Sequence, residues 1–429
     1  MKKLSTEPYK GTRDFYPENM RLQNYILGTM RRVAERYGYQ EYGASIMEES
    51  DIYRAKTGEE IVNEQTYTFT DRGGRDVTLR PEMTPTVARM VAGKRRELNF
   101  PVRWYSIPNC FRYERPQRGR LREFWQLNVD MLGSTSLVAD AEMIQMSYDT
   151  MLAFGAKAEN FTVKLNSRKL MNELFSEVLA LDEEKSYRLA KLIDKKDKLE
   201  PVVFETSARE LVADKFEVLN EFLGAKTVTE LPEIIRSSQN VAELEKVLTI
   251  LNAQGIENCI FDPTLMRGFD YYTGIVFEVF DTGPENNRSL FGGGRYDNLV
   301  DLFGADPVPA VGFGMGDLPM ENYLETYGLI PELASGITLT ICTIDPSAIP
   351  KSLELASILR AQGVSVAVDY TDKKLGAKIK SAEKEKVRYV VCVGENEIAE
   401  DKYTLKKLAD FSEANYTETE LIAKLTKNK

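Results

Sequence analysis

The chain has 429 residues, 43% of them hydrophobic, a formal net charge of -10 and no histidine at all. Those numbers exclude Ser-His-Asp and Cys-His triads, zinc sites built on imidazole, and a surface coated for indiscriminate nucleic-acid binding. If the chain is an enzyme, its chemistry runs on carboxylates, arginines, tyrosines, the backbone or a metal held by oxygen.

The length fits roughly two to three domains. No stretch approaches the ~18 apolar residues of a membrane span. The opening Met1-Lys2-Lys3-Leu4 run lacks the apolar core of a signal peptide. Cys110, Cys259, Cys342 and Cys392 are far apart and form no CxxC pair, as expected of reduced thiols. Together these point to a cytoplasmic protein that does not associate with membranes.

In chain order, a helix is predicted over 18–37, where Leu22, Tyr25, Ile26, Met30, Val33, Ala34 and Tyr37 recur at helical spacing. Strands follow at 76–80, 102–107, 109–114 and 122–132. In the last of these Phe124, Gln126, Asn128 and Asp130 share one face, and Trp125, Leu127, Val129 and Met131 share the other. Such a strand packs one side on core and floors a polar pocket with the other.

From 168 to 252 the composition turns to Leu, Lys, Glu and Ala, and helices are predicted at 168–179, 207–223 and 241–251. Strand character returns at 271–280, followed by Gly292-Gly293-Gly294 and by Gly312, Gly314 and Gly316. A linker is expected near 329–332. Beyond it strands at 337–344, 364–370 and 388–393 alternate with helices at 352–361 and 374–386, a small α/β unit with a largely parallel sheet.

Three segments carry candidate chemistry. Between 109 and 130 lie Arg112, Arg115, Arg118, Arg120 and Arg122, interleaved with the turn residues Pro116 and Gly119. A charge run is usually a solvated face, but guanidinium groups flanking a pocket strand also bind phosphate in bidentate fashion. In Arg80-Pro81-Glu82-Met83-Thr84-Pro85 two prolines stiffen a backbone that can present Glu82 and Thr84 to an ammonium group. In Arg267-Gly268-Phe269-Asp270-Tyr271-Tyr272-Thr273-Gly274 an arginine precedes paired tyrosines. Each segment alone is also compatible with an ordinary turn or strand.

Taken together they resemble histidyl-tRNA synthetases, of the class II aminoacyl-tRNA synthetases. Lys10-Gly11-Thr12-Arg13-Asp14 is similar to the family's N-terminal signature, 111–126 to its motif 2, and 267–274 to its histidine-specific motif. Gly293-Gly294-Arg295-Tyr296-Asp297 and 310–316 resemble two further family stretches, and the tail resembles its anticodon-binding domain.

The resemblance implies an α+β fold: a class II antiparallel sheet flanked by helices over 1–328, a helical insertion at 166–254, and a small α/β anticodon-binding domain at 333–429. It implies a ligase that activates L-histidine with ATP to histidyl-adenylate and transfers it to the 3' end of tRNA(His). Arg112 and Arg267 would be catalytic. Glu82, Thr84, Gln126, Asp130, Tyr271 and Tyr272 would bind histidine. Arg112, Glu114, Arg122 and Arg295 would bind ATP, and Arg115, Arg118 and Arg120 would meet tRNA. Mg²⁺ would arrive with ATP, no residue would hold a resident metal, and the enzyme would be a homodimer. The predicted helix with Lys373, Lys374, Lys378, Lys380, Lys384 and Lys386 either faces the anticodon or simply faces water.

The chain departs from the family at four kinds of position. Ser45 stands where motif 1 has proline, and Asp130 where many members have glutamate. After Gly316 the chain reads Asp317-Leu318-Pro319-Met320, without the family's ATP-gripping arginine. Asp317 is expected to cap the helix that follows, with Arg122, Arg295 or another arginine replacing the lost one. Tyr113 and Trp125 occupy motif 2 positions commonly filled by histidine. Two other readings compete: a non-catalytic, histidine-binding regulatory subunit of histidine biosynthesis, and an RNA-binding sensor derived from a synthetase.

Overall fold

The structure is a computed structural model that describes residues 4–54, 65–266, 271–283 and 289–427. The chain divides into two compact units, Met1–Ile330 and Pro331–Lys429.

In the first unit the strands are β1 (Gln40–Glu41), β2 (Met47–Glu49), β3 (Tyr67–Thr70), β4 (Asp76–Leu79), β5 (Val102–Ser106), β6 (Asn109–Phe111), β7 (Glu123–Leu132), β8 (Phe161–Ser167), β9 (Cys259–Phe261), β10 (Ile275–Asp281), β11 (Ser289–Tyr296) and β12 (Ala310–Gly316). The main sheet runs β1-β5-β7-β12-β11-β10-β8-β9, with β6 pairing β7. Its centre is antiparallel from β5 to β8, and only the edge pairs β1/β5 and β8/β9 are parallel. This is the class II arrangement of a mixed sheet flanked by helices. The small sheet β2-β4-β3 stands apart from it.

One face of the main sheet is core. Leu127, Val129 and Met131 of β7, Val163 and Leu165 of β8, and Val311, Phe313 and Met315 of β12 bury against Ile26, Met30 and Val33 of the helix Pro17–Arg36 and Met143 and Ile144 of the helix Leu137–Ala153. Each such side chain contributes about 1.5–3 kcal/mol when fully buried. The first helix starts where Pro17 can occupy its first turn without losing a hydrogen bond. It buries Ile26, Met30, Val33 and Ala34, as their spacing requires.

The helical region between β8 and β9 differs from expectation at one point. The segment 207–223 is not one helix but the ends of two, Pro201–Val212 and Phe216–Gly224, broken where Ala213 takes a φ of +51°. The apolar stripe Phe204, Ala208, Leu211, Phe216, Leu219 and Phe222 continues unbroken across the bend and stays buried. Periodicity therefore carried no sign of it. The strand expected from 271 begins only at Ile275, so Tyr271 and Tyr272 precede it.

The second unit has β13 (Leu339–Thr343), β14 (Val366–Asp369), β15 (Tyr389–Val393), β16 (Tyr403–Lys407) and β17 (Glu413–Tyr416) in the order β14-β13-β15-β16-β17. The first three are parallel and the last two antiparallel. The sheet is thus mixed, because the chain closes with a hairpin and the helix Glu418–Lys427, which the sequence reading left out.

Lys378 is a further correction. It sits on the helix Leu375–Lys384 but is only 3% exposed. Its Nζ donates to Thr343 O (2.8 Å), Thr343 Oγ1 (3.1 Å) and Asp369 O (3.1 Å), so it ties that helix to the ends of β13 and β14. Lys378 is not available to RNA. Lys378→Met should destabilise the second unit by about 1–3 kcal/mol, because three buried acceptors lose a charged donor. Denaturant titration of the full chain, with hydrogen exchange followed on β13 and β14, checks this.

Candidate active site

The polar face of β7 floors a cleft of about 870 Å³, a volume suited to small-molecule ligands. Phe124, Gln126, Asn128 and Asp130 all line it, while the alternate residues Leu127, Val129 and Met131 lie in the core behind. β12 pairs with β7 so that Gly312 stands opposite Asp130, Gly314 opposite Asn128 and Gly316 opposite Gln126. A Cβ on Gly312 would come within 2.4 Å of Asp130 Oδ1, and one on Gly314 within 2.9 Å of Gln126 Nε2. The glycines of β12 are the space into which the polar side chains of β7 project.

A second wall is the turn between β4 and the helix Thr84–Gly93. Arg80 locks it from beneath, donating to Asn109 O (2.8 Å), Asn109 Oδ1 (3.0 Å) and Ala44 O (3.0 Å). Glu82, 3% exposed, and Thr84 both line the cleft. Arg112 enters from beyond β6. Its Nε donates to Pro81 O at 3.0 Å, and its guanidinium lies 5.4 Å from the Phe124 ring centroid.

Tyr271 and Tyr272 form the third wall, with ring centroids 5.0 Å apart. The Tyr271 hydroxyl donates to Glu82 Oε2 at 3.3 Å. Asp130 accepts a hydrogen bond from the Tyr296 hydroxyl, and burial pushes its carboxyl up to about 7. Glu82, Thr84, Arg112, Glu114, Arg120, Gln126, Asp130, Tyr271 and Tyr272 therefore share one cleft. Arg267 lies outside the described residues.

The family description for histidyl-tRNA synthetase matches residues 11–316, and that for an anticodon binding domain matches 338–428. The chain belongs to the histidyl-tRNA synthetase family. It is 43% identical to a histidine–tRNA ligase of Leptospira biflexa, over 99% of this chain and 98% of that protein. It is 37% identical to one of Halobacterium salinarum, over 93% of each. Among solved structures, the histidyl-tRNA synthetase of Nostoc sp. superposes over 100% of both chains with a TM-score of 0.84 at 23% identity, a likeness of fold.

Two arginines expected to bind the nucleotide are not brought to the cleft. Arg295 is 5% exposed and turned into the protein, where it pairs with Asp140 (2.5 Å) and donates to Ser134 O (2.8 Å). It fastens β11 to the start of the helix Leu137–Ala153. Arg122 is stacked on Tyr113, 3.8 Å from that ring's centroid, and donates to Tyr9 Oη (3.2 Å) and Glu114 O (3.2 Å). Its backbone N–H donates to Gly11 O at 2.7 Å, so it fixes the family's N-terminal signature against motif 2. Arg115, Arg118 and Arg120 are exposed around a tight turn closed by Gln117 and Arg120, and of these only Arg120 lines the cleft.

Asp317 does not cap its helix. It is fully buried and accepts from Arg13 (2.7 Å), Gln23 (2.9 Å) and the Trp125 backbone N–H (3.0 Å). One carboxylate thus binds the N-terminal segment, the first helix and β7 to the helix Asp317–Thr326. Leu318 and Pro319, which follow the glycines of β12, line the cleft, as Phe124 does. Trp125 packs edge-on against Phe15 at 5.3 Å, and Tyr113 lies beneath Arg122. Neither aromatic lines the cleft, so both are used here for packing.

Several cleft residues escaped the sequence reading. Asn128 was visible by alternation but given no role. Tyr296 lay in a recognised glycine stretch, yet nothing local showed that it reaches Asp130 across the sheet. Arg168, Asn172, Tyr187, Lys191 and Lys195 of the helical region also line the cleft, joined to it only by tertiary folding.

Two outcomes are expected. Gly314→Ala should raise the histidine KM about tenfold by displacing Gln126, with little change in thermal stability, because the atoms nearest the new methyl are the end of a flexible side chain. Asp317→Ala should cost about 2–4 kcal/mol by leaving Gln23, Arg13 and the Trp125 N–H without their acceptor, as urea denaturation would measure.

Proposed function

We propose that this cleft is where the chain, a histidine–tRNA ligase, joins L-histidine to ATP and passes the product to tRNA. The observation that carries the reading is the convergence of Arg112, Glu82, Gln126, Asp130, Tyr271 and Tyr272 on one cleft. Glu82, Thr84 and Gln126 take the α-ammonium group. Asp130 and Tyr272 take the two ring nitrogens, and Tyr271 closes the pocket while holding Glu82. Arg112 and Arg267 stabilise charge on the α-phosphate, with Glu114 contributing to ATP binding.

Histidine's own carboxylate attacks the α-phosphorus and pyrophosphate leaves, so no protein base is required. The tRNA terminal hydroxyl then attacks the acyl carbon, its proton passes to a phosphate oxygen of the adenylate, and AMP leaves. Both steps depend on positioning and on fixed positive charge rather than on proton transfer by the enzyme. A pocket that pairs both ring nitrogens leaves buried polar groups unpaired when another side chain enters, which gives roughly 10⁴-fold discrimination or better. Mg²⁺ would screen phosphate charge as ATP binds. The cleft carboxylates Glu114 and Glu278 have the hard oxygens it needs, with phosphate and water completing its shell.

Arg120 at the cleft and Arg115 and Arg118 on the exposed turn face the acceptor end of tRNA. The second unit takes the anticodon, with Lys380 and Lys384 on the helix Leu375–Lys384 and Lys373, Lys374 and Lys386 beside its ends as the cationic face. The enzyme acts in the cytoplasm as a homodimer. Among the described residues no helix is long and apolar enough to cross a membrane. The match to an anticodon-binding domain favours this reading over a regulatory subunit.

Pyrophosphate exchange should depend on histidine, and aminoacylation of total tRNA should proceed with histidine alone among the amino acids. Absence of exchange with every amino acid would overturn the reading. Arg112→Ala should lower kcat by about 10²–10³. Reversing the charge of Lys380, Lys384 and Lys386 should weaken tRNA binding and flatten its salt dependence. Filter binding across a salt series measures both.

A further inference from the structure

Asp130 is 4% exposed, and its two oxygens have different surroundings. Oδ1 accepts from the Tyr296 hydroxyl. Oδ2 is buried and has no hydrogen-bond partner among the described residues. Both Asp130 and Tyr296 line the cleft, so the unpartnered oxygen belongs to a group that meets the ligand space. A buried acceptor left without a donor is costly unless something supplies one.

Tyr296 comes from β11, two strands away from β7 in the sheet. It reaches Asp130 because the intervening strand carries Gly312, opposite Asp130 and without a side chain to block the approach. The Tyr296 ring is buried and held edge-on to Tyr271 at 5.8 Å. Asp130 is one methylene shorter than a glutamate and turns about fewer bonds. A single donor on Oδ1 is then enough to fix the carboxylate plane and leave Oδ2 as the acceptor for a ligand.

We infer that Tyr296 is a positioning residue for ring recognition: it occupies Oδ1 of Asp130 so that Oδ2 alone is presented to an N–H of the substrate's imidazole. The inference rests on the reading of the cleft as a histidine site. Tyr296 does not touch the reacting atoms, and its effect passes through Asp130.

The inference has a pH signature. The titratable groups that Asp130 influences from neighbouring elements are tyrosines, namely Tyr39, Tyr42 and Tyr296, and Tyr271 packs on Tyr296. Burial is the main influence on Asp130 and raises its pKa, while the Tyr296 hydrogen bond lowers it by favouring the charged form. Removing the hydroxyl must therefore raise it further. The ionised acceptor is then lost at higher pH, and the acid limb of kcat/KM moves upward. The chain has no imidazole of its own to obscure this limb. The substrate's imidazole titrates identically with every variant.

The test uses the full-length enzyme and histidine-dependent pyrophosphate exchange. Tyr296→Phe should raise the histidine KM about tenfold or more, change kcat less than about threefold, and move the acid limb up by about one unit. In an Asp130→Asn background the same substitution should have little effect on KM. If Tyr296→Phe fails to fold, 3-fluorotyrosine introduced at Tyr296 keeps the shape and strengthens the donor, and the acid limb should then move down. An unchanged KM and pH profile in Tyr296→Phe, or an equal penalty in the Asp130→Asn background, would overturn the inference. So would an unmoved limb with 3-fluorotyrosine. An active wild-type enzyme with any of these results leaves the histidine reading standing. A wild-type enzyme without histidine-dependent exchange removes both.

Discussion

The pairing of β7 with β12 is the constraint on which the cleft depends. β7 carries Gln126, Asn128 and Asp130 on one face, and β12 meets them with Gly312, Gly314 and Gly316. Side chains at Gly312 and Gly314 would occupy the space now filled by the Asp130 carboxylate and the Gln126 amide. Because strand side chains alternate, a slip of one residue would send the polar set into the core and the apolar set into the cleft. The core contacts of Leu127, Val129 and Met131 therefore hold the ligand-facing groups in register as well as stabilising the fold.

The arginines divide by environment. Arg112 stays at the cleft because Pro81 O and the Phe124 face orient it without burying it. Arg80, Arg122 and Arg295 are each largely buried and hold backbone or carboxylate partners. These three brace the Glu82 turn, the motif 2 loop and β11 in turn. Asp317 plays the corresponding acidic part, drawing three donors from three elements onto one helix start. Where the helix leaves β12 the chain thus has a structural tie, and Leu318 and Pro319 give that end of the cleft an apolar wall.

Local patterning revealed some of this architecture and concealed the rest. Alternation in 122–132 identified the cleft face of β7, since period-two burial is a property of the strand itself. The spacing of Ile26, Met30 and Val33 likewise defined the first helix. The environment of Arg295 was not legible, because Asp140 lies far away in sequence and a guanidinium reads the same whether it binds phosphate or carboxylate. The burial of Lys378 was hidden in the same way by five lysine neighbours at 373–386. The kink at Ala213 left no trace because the apolar stripe runs through it. Tyr296 could be placed against Asp130 only once the order of three strands was known.

Tyr113 and Trp125, the motif 2 aromatics, are both used for packing rather than for chemistry. Nothing in the cleft asks for an imidazole from the protein, so these 429 residues can do without it. A ribosome making this chain never draws on charged histidyl-tRNA. When that pool is low, translation of histidine-containing proteins slows, while these 429 residues place no demand on it. The amino acid that this enzyme loads is absent from the chain that loads it.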